Sequence, residues 1–198
     1  MKKREFDIFG ILLGVVIGCI LGFFLSTRIN IEAPDNLDET GGQVGNIYLL
    51  QIDKVSTPED AKTIMDKINA KNLYSVAVFD NDYYFIYGGI ASVSTELDTL
   101  KLKFEDNGFT TLVKKEYILD KPNAVLEDAE VNEFWNECID NLLKNLNNEE
   151  IVISDKFKNN PINIEVFSFL LALNTIKNPV LLNEIRLNTY EVIVETLG

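Results

Sequence analysis

The chain has 198 residues, a formal net charge of −13 and no histidine. That balance argues against nucleic acid as a partner, because neutralising phosphates requires a Lys/Arg surface. The missing histidine removes the commonest general base and metal ligand, and 46% apolar residues are enough for a real core in one or two domains.

Lys2, Lys3 and Arg4 precede Ile8 to Leu25, a run with no charged or strongly polar side chain. Continued to Thr27, it matches the ~20 residues that cross a hydrocarbon core, so residues 8–27 are predicted to form a transmembrane helix. The positive-inside rule puts residues 1–7 in the cytoplasm as a tail and everything after the helix outside, so the expected localisation is the cell membrane, single-pass. Gly10, Gly14, Gly18 and Gly22 recur every four residues, a groove against which a second helix packs by self-association or from a partner. Val16-Ile-Gly-Cys19 also fits a lipoprotein cleavage box with Cys19 lipidated; the apolar continuation Ile20 to Leu25 favours an uncleaved anchor. Residues 28–45 carry Pro34, Gly41, Gly42 and Gly45 among acids without periodicity, and read as a linker. At ~3.5 Å per residue, the stretch from Asn30 to Gly45 spans at most ~55 Å, which keeps the body close to the membrane.

Residues 46–118 read as one motif written twice. Asn46 to Asp53 is a strand by its apolar, β-branched content, and Thr57 or Ser56 caps a helix with Ala61, Ile64, Met65 and Ile68 as its buried stripe. Asn72 is a left-handed stop, Leu73 to Phe79 returns as a strand, and Asp80-Asn-Asp82 makes a turn. In the second copy Tyr83 to Tyr87 is a strand, Ser94 opens a helix with Leu97, Leu100 and Phe104 inward, Gly108 ends it, and Phe109 to Lys114 closes the sheet. The order β-α-β-β-α-β predicts an α+β, ferredoxin/RNP-like fold: a four-stranded antiparallel sheet with both helices on one face.

That order of elements resembles the SPOR domain, the sporulation-related repeat that binds bacterial peptidoglycan. Leu49-Leu-Gln-Ile-Asp-Lys-Val55 stands at the family's first strand and Tyr83-Tyr-Phe-Ile-Tyr-Gly-Gly-Ile90 at its third. Ser56-Thr-Pro-Glu-Asp-Ala61 and Asn107-Gly-Phe109 are similar to the family's helix opening and helix stop. Tyr84 and Ile86 replace the third-strand arginines, and Asp53 replaces the first-strand glycine. The resemblance implies binding of peptidoglycan glycan strands stripped of stem peptides, in cell division or sporulation.

Residues 124–198 form a C-terminal helical region. From Glu130 to Leu146 the apolar spacing is that of an amphipathic helix, and Ile151-Val-Ile153 is a short buried segment. Asn160-Pro161 and Asn178-Pro179 each read as an N-cap followed by proline, opening helices over about 161–177 and 179–196. These helices either make a small bundle or dock on the preceding domain. The acidity is concentrated there, since residues 119–198 alone carry −8.

Strand alternation points Leu50 and Ile52 at the two helices, and Leu49, Gln51 and Asp53 at the other face. On the second and third strands it is expected to turn Phe85 and Tyr87 inward, and Ser75, Ala77, Phe79, Tyr84 and Ile86 outward. The candidate glycan site is therefore Gln51, Asp53, Ser75, Phe79, Tyr84 and Ile86, with an amide for hydrogen bonds and aromatic platforms for sugar rings. The competing expectation is that the C-terminal helices cover this face, because its apolar content invites docking. Cys138 lies on a buried stripe, and the carboxylate pairs Asp80/Asp82 and Glu149/Glu150 lack the cleft a glycosidase needs. No enzyme activity, metal or cofactor is expected. Two functions remain: a membrane-anchored glycan-binding module, favoured by Gln51, and a non-catalytic envelope scaffold whose sheet face and acidic helices bind protein partners, favoured by the missing arginines.

Overall fold

Strand β1, Asn46–Val55, is the centre of the architecture, because it is hydrogen-bonded on both edges. The computed structural model describes residues 45–119 and 128–197. The predicted tail, the membrane helix with its glycine groove, Cys19 and residues 28–44 lie outside the described residues. Among those described, no helix is long and apolar enough to cross a membrane.

After β1 come α1 (Pro58–Asn69), β2 (Val76–Asp80) and β3 (Tyr83–Ala91). A 3₁₀ turn (Ser94–Leu97) then leads into α2 (Asp98–Asp106), followed by β4 (Leu112–Tyr117). The antiparallel sheet runs β2-β3-β1-β4, so the expected α+β fold is the observed one. Thr57 caps α1 by accepting from the Asp60 N–H, and Asn72 takes the left-handed conformation that stops it (φ 56). Asn81 (φ 49) and Asp82 (φ 65) make the tight β2–β3 turn that fixes Asp80 opposite Tyr83.

Several boundaries differ from expectation. Leu73 completes the helix stop, its N–H donating to the Ile68 carbonyl, and the Tyr74 hydroxyl donates to Asn188, so β2 begins only at Val76. Strand β3 runs on to Ala91 through Gly88 and Gly89, where a Cβ would lie 2.5 Å from the Phe104 ring and 2.6 Å from Leu100. Helix α2 thus rests directly on the strand backbone. Ser94 does not cap α2; it starts the 3₁₀ turn, and α2 begins at Asp98 without a side-chain cap.

Each face of the sheet has its own core. Leu50, Ile52 and Ile86 pack with Ala61, Ile68, Leu97 and Phe104 of the helix side. On the opposite face Ile47, Leu49, Val76, Val78, Tyr87 and Ile90 pack against the C-terminal helices. Those helices are α3 (Ala129–Leu146), α4 (Asp155–Asn159), α5 (Ile164–Thr175) and α6 (Pro179–Leu197). The C-terminal region is docked on the sheet, with α6 against β2 and β3. Asn178 caps α6 through the Val180 and Leu181 N–H groups, whereas α5 is capped by Asn163 rather than Asn160. Ile151 and Ile153 are buried and Val152 is exposed. The buried Asn141 amide holds that segment by exchanging two hydrogen bonds with the Val152 backbone, at 3.0 and 3.2 Å.

Candidate functional site

Directly paired residues of neighbouring strands share a face, so the register decides which side chains meet. Gln51 pairs with Tyr87 and Leu112, Leu49 with Lys114, and Lys54 with Phe85. Register shifts on either side of Gln51 mark a bulge in the β1–β3 ladder. Past that bulge Lys54 falls on the same face as Gln51, which unbroken alternation would not allow.

The C-terminal helices cover the end of this face that carries Ile47, Leu49, Val76 and Tyr87. The end nearest the β2–β3 turn stays accessible. There Tyr83 is 41% exposed and Leu112 59%, with Phe85 and Gln51 half-buried between them. The Lys54 ammonium sits 3.8 Å from the Tyr83 ring centroid and 5.0 Å from that of Phe85. Lys114 also approaches the Phe85 ring, at 4.8 Å. Each such contact at a surface contributes about 0.5–1 kcal/mol and holds the cation over the ring. Phe85 in turn lies nearly parallel to Tyr87, 7° between planes.

Beneath this surface Glu116 gathers the polar groups. Its carboxylate accepts from Lys114 at 2.7 Å, from the Tyr190 hydroxyl at 2.5 Å and from the Tyr87 hydroxyl at 3.4 Å. Burial, with Glu116 alongside, pushes both tyrosine hydroxyls well above their ordinary pKa, so they stay protonated donors. Tyr190 belongs to α6, so the C-terminal region supports the floor of the open patch.

The six residues expected to form the site do not share one face. Gln51 borders the open patch. Asp53 is exposed at the bulge, its carboxylate accepting from the Lys54 N–H at 2.8 Å. Ser75 is buried ahead of β2, and Ile86 is fully buried on the side of α1 and α2. Tyr84 packs on that same helix side, and Phe79 lies against it with ring centroids 4.9 Å apart. The facing expected for β2 and β3 is therefore reversed: Phe85 and Tyr87 point toward the C-terminal helices, Tyr84 and Ile86 toward α1 and α2. Both parities of Tyr83-Tyr-Phe-Ile-Tyr87 are apolar, so alternation carries no facing signal when both sides of a strand are buried. The sequence reading missed Lys54, Tyr83, Phe85 and Lys114: Lys54 depends on the register across the bulge, Tyr83 and Phe85 on the facing of β3, and Lys114 on its pairing with Leu49.

Cys138 is buried in the C-terminal core, and burial pushes its thiol up to about 12, which keeps it from acting as a nucleophile.

No family model matches the chain, and no curated protein matches it. Among solved structures, it is similar to the solution structure of the peptidoglycan binding domain of the B. subtilis cell wall lytic enzyme CwlC. The two are 23% identical, with 37% of this chain and 94% of that chain covered and a TM-score of 0.34.

Proposed function

We propose that the protein is a membrane-anchored, extracytoplasmic module that binds peptidoglycan glycan strands without cleaving them. The observation that carries this reading is the open end of the sheet, where Lys54 sits against the Tyr83 and Phe85 rings and Lys114 against Phe85. Aromatic rings flanked by hydrogen-bonding groups suit a sugar chain, whose rings stack on apolar surfaces while the hydroxyls seek amides and charges. Gln51 supplies the amide. Binding without chemistry fits the state of Glu116, which is tied to Lys114, Tyr87 and Tyr190. The uncharged run from Ile8 to Leu25 supports anchoring in the membrane with the body outside. The resemblance to SPOR domains supports a role in division or sporulation.

A second reading has its own observation. Ile164 is 73% exposed and Leu171 47% on one stripe of α5, apolar surface that suits a protein partner of the cell envelope.

The test is retention of the detergent-solubilised full chain on peptidoglycan stripped of stem peptides. Tyr83→Ala and Gln51→Ala should each weaken retention about fivefold, from roughly 1 kcal/mol of lost contact, with unfolding nearly unchanged. Tyr84→Ala should leave retention intact and lower stability. Retention indifferent to Tyr83 and Gln51 would remove the sheet face from the function.

A further inference from the structure

Between α2, the far end of β3 and the first turns of α6 lies a groove of about 810 Å³, away from the open end of the sheet. Its size falls within the range of small-ligand sites. We propose that this groove binds a short peptide through its free C-terminal carboxylate, with Arg186 as the anchor.

Arg186 is half-buried and held in place, its Nε donating to the Asn145 Oδ1 at 2.7 Å and one Nη2 hydrogen to the Asn145 carbonyl at 2.6 Å. Among the described residues no carboxylate lies within ion-pair distance of it; Glu96 of the same groove acts on its charge from further away, and Nη1 makes no hydrogen bond. A guanidinium taken partly out of water and fixed by neutral partners gains most from an incoming planar carboxylate. Lys103 lines the same groove and adds positive charge, while Glu96 and Glu184 are there to meet an ammonium.

The groove also suits the peptide backbone. Asn69, Asn72 and Asn148 line it and are solvent-exposed, so their amides are open to a ligand. A primary amide can donate to a backbone C=O and accept from a backbone N–H at once. The fold uses that property twice within itself: Asn183 spans the Gly88 carbonyl and the Ile90 N–H, and Asn141 spans both groups of Val152. Leu97, Leu100 and Val180 supply apolar wall for side chains.

The experiment is equilibrium dialysis of the full chain in detergent micelles against the dipeptide Leu-Ala and its C-terminal amide. The acid should bind at least about tenfold more tightly than the amide, and Arg186→Gln should weaken it by about the same factor. Val180→Trp, at a position 59% exposed, should block the groove while leaving thermal unfolding unchanged. It tests the site even where Arg186→Gln unfolds. Tyr83→Ala and Gln51→Ala should leave dipeptide binding unaltered, which separates this groove from the glycan reading. No binding of Leu-Ala, equal binding of acid and amide, or indifference to Val180→Trp would overturn the proposal. So would displacement by inorganic phosphate at equal concentration, which would make the groove a general anion site.

Discussion

Asn183 is where the two halves of the fold are locked together, and its replacement has a calculable cost. β2 reaches only to Val76 opposite Tyr87, so the β3 edge beyond Tyr87 has no strand partner on that side. The Asn183 side chain fills the gap: its Nδ2 donates to the Gly88 carbonyl at 3.1 Å, and its Oδ1 accepts from the Ile90 N–H at 3.3 Å. Each bond is worth about 0.5–1.5 kcal/mol net, and a strand group left unpaired costs about 1–3 kcal/mol when dry. The adjoining groove admits water, so the lower part of these ranges applies and Asn183→Ala should cost about 1–2 kcal/mol. Urea unfolding would register this as a midpoint about 0.5–1 M lower, for a slope of about 2 kcal/mol/M. Asn183→Asp is the sharper variant, because it keeps shape and acceptor but turns an oxygen toward the Gly88 carbonyl. It should cost at least as much as Asn183→Ala. A wild-type midpoint for Asn183→Asp would refute the account of Asn183 as a stand-in strand.

Gly88→Val should destabilise by about 1–3 kcal/mol, because a Cβ at Gly88 lies 2.5 Å from the Phe104 ring; an unchanged thermal midpoint would show that α2 is free to shift away. Glu191, half-buried on α6 near Glu195 and Glu165, has its carboxyl pushed up to about 7, chiefly by burial. Its ionisation therefore opposes folding, with no penalty below pH about 4.5, one that grows as pH rises from there to about 7, and a constant one above. Discounted for solvent screening, Glu191→Gln should stabilise by about 1–2 kcal/mol at pH 8 and converge with the wild type by pH 4.5 in thermal melts. An equal gain at both pH values would assign the effect to something other than the proton.

The elements and their order were readable because each carries a local signature. Thr57 caps a helix, Asn72 and Gly108 stop helices with positive φ, and Asn81-Asp82 turns a hairpin, all with chemistry contained in a few residues. Strand ends were less legible, since they depend on partners far along the chain. Tyr74 is bound to Asn188 instead of extending β2, and β3 continues past Tyr87 because β1 and Asn183 take its backbone groups. The facing of the strands was the least readable feature. A sheet clothed on both sides needs apolar residues at odd and even positions alike, so the pattern shows burial without showing against what.

That reversal changes how the differences from the SPOR pattern bear on the proposed function. Tyr84 and Ile86, which stand where the SPOR pattern has arginines, weigh toward a scaffold only if those positions lie on the open face. Ile86 is fully buried on the side of α1 and α2, and Tyr84 packs on the same side. What stands at 84 and 86 therefore governs the packing of the helices and says nothing about the open face. The positive charge on that face comes instead from the neighbouring strands, from Lys54 after the bulge and Lys114 on β4, each placed over Phe85. Lys54 and Lys114 thus place positive charge beside the aromatic rings. The C-terminal helices narrow the same face to one end and also brace it, because Tyr190 and Tyr87 both donate to the Glu116 carboxylate that holds Lys114. Removing α6 would therefore uncover more sheet and at the same time loosen Lys114, so the covered end of the face and the open end proposed to bind glycan depend on each other.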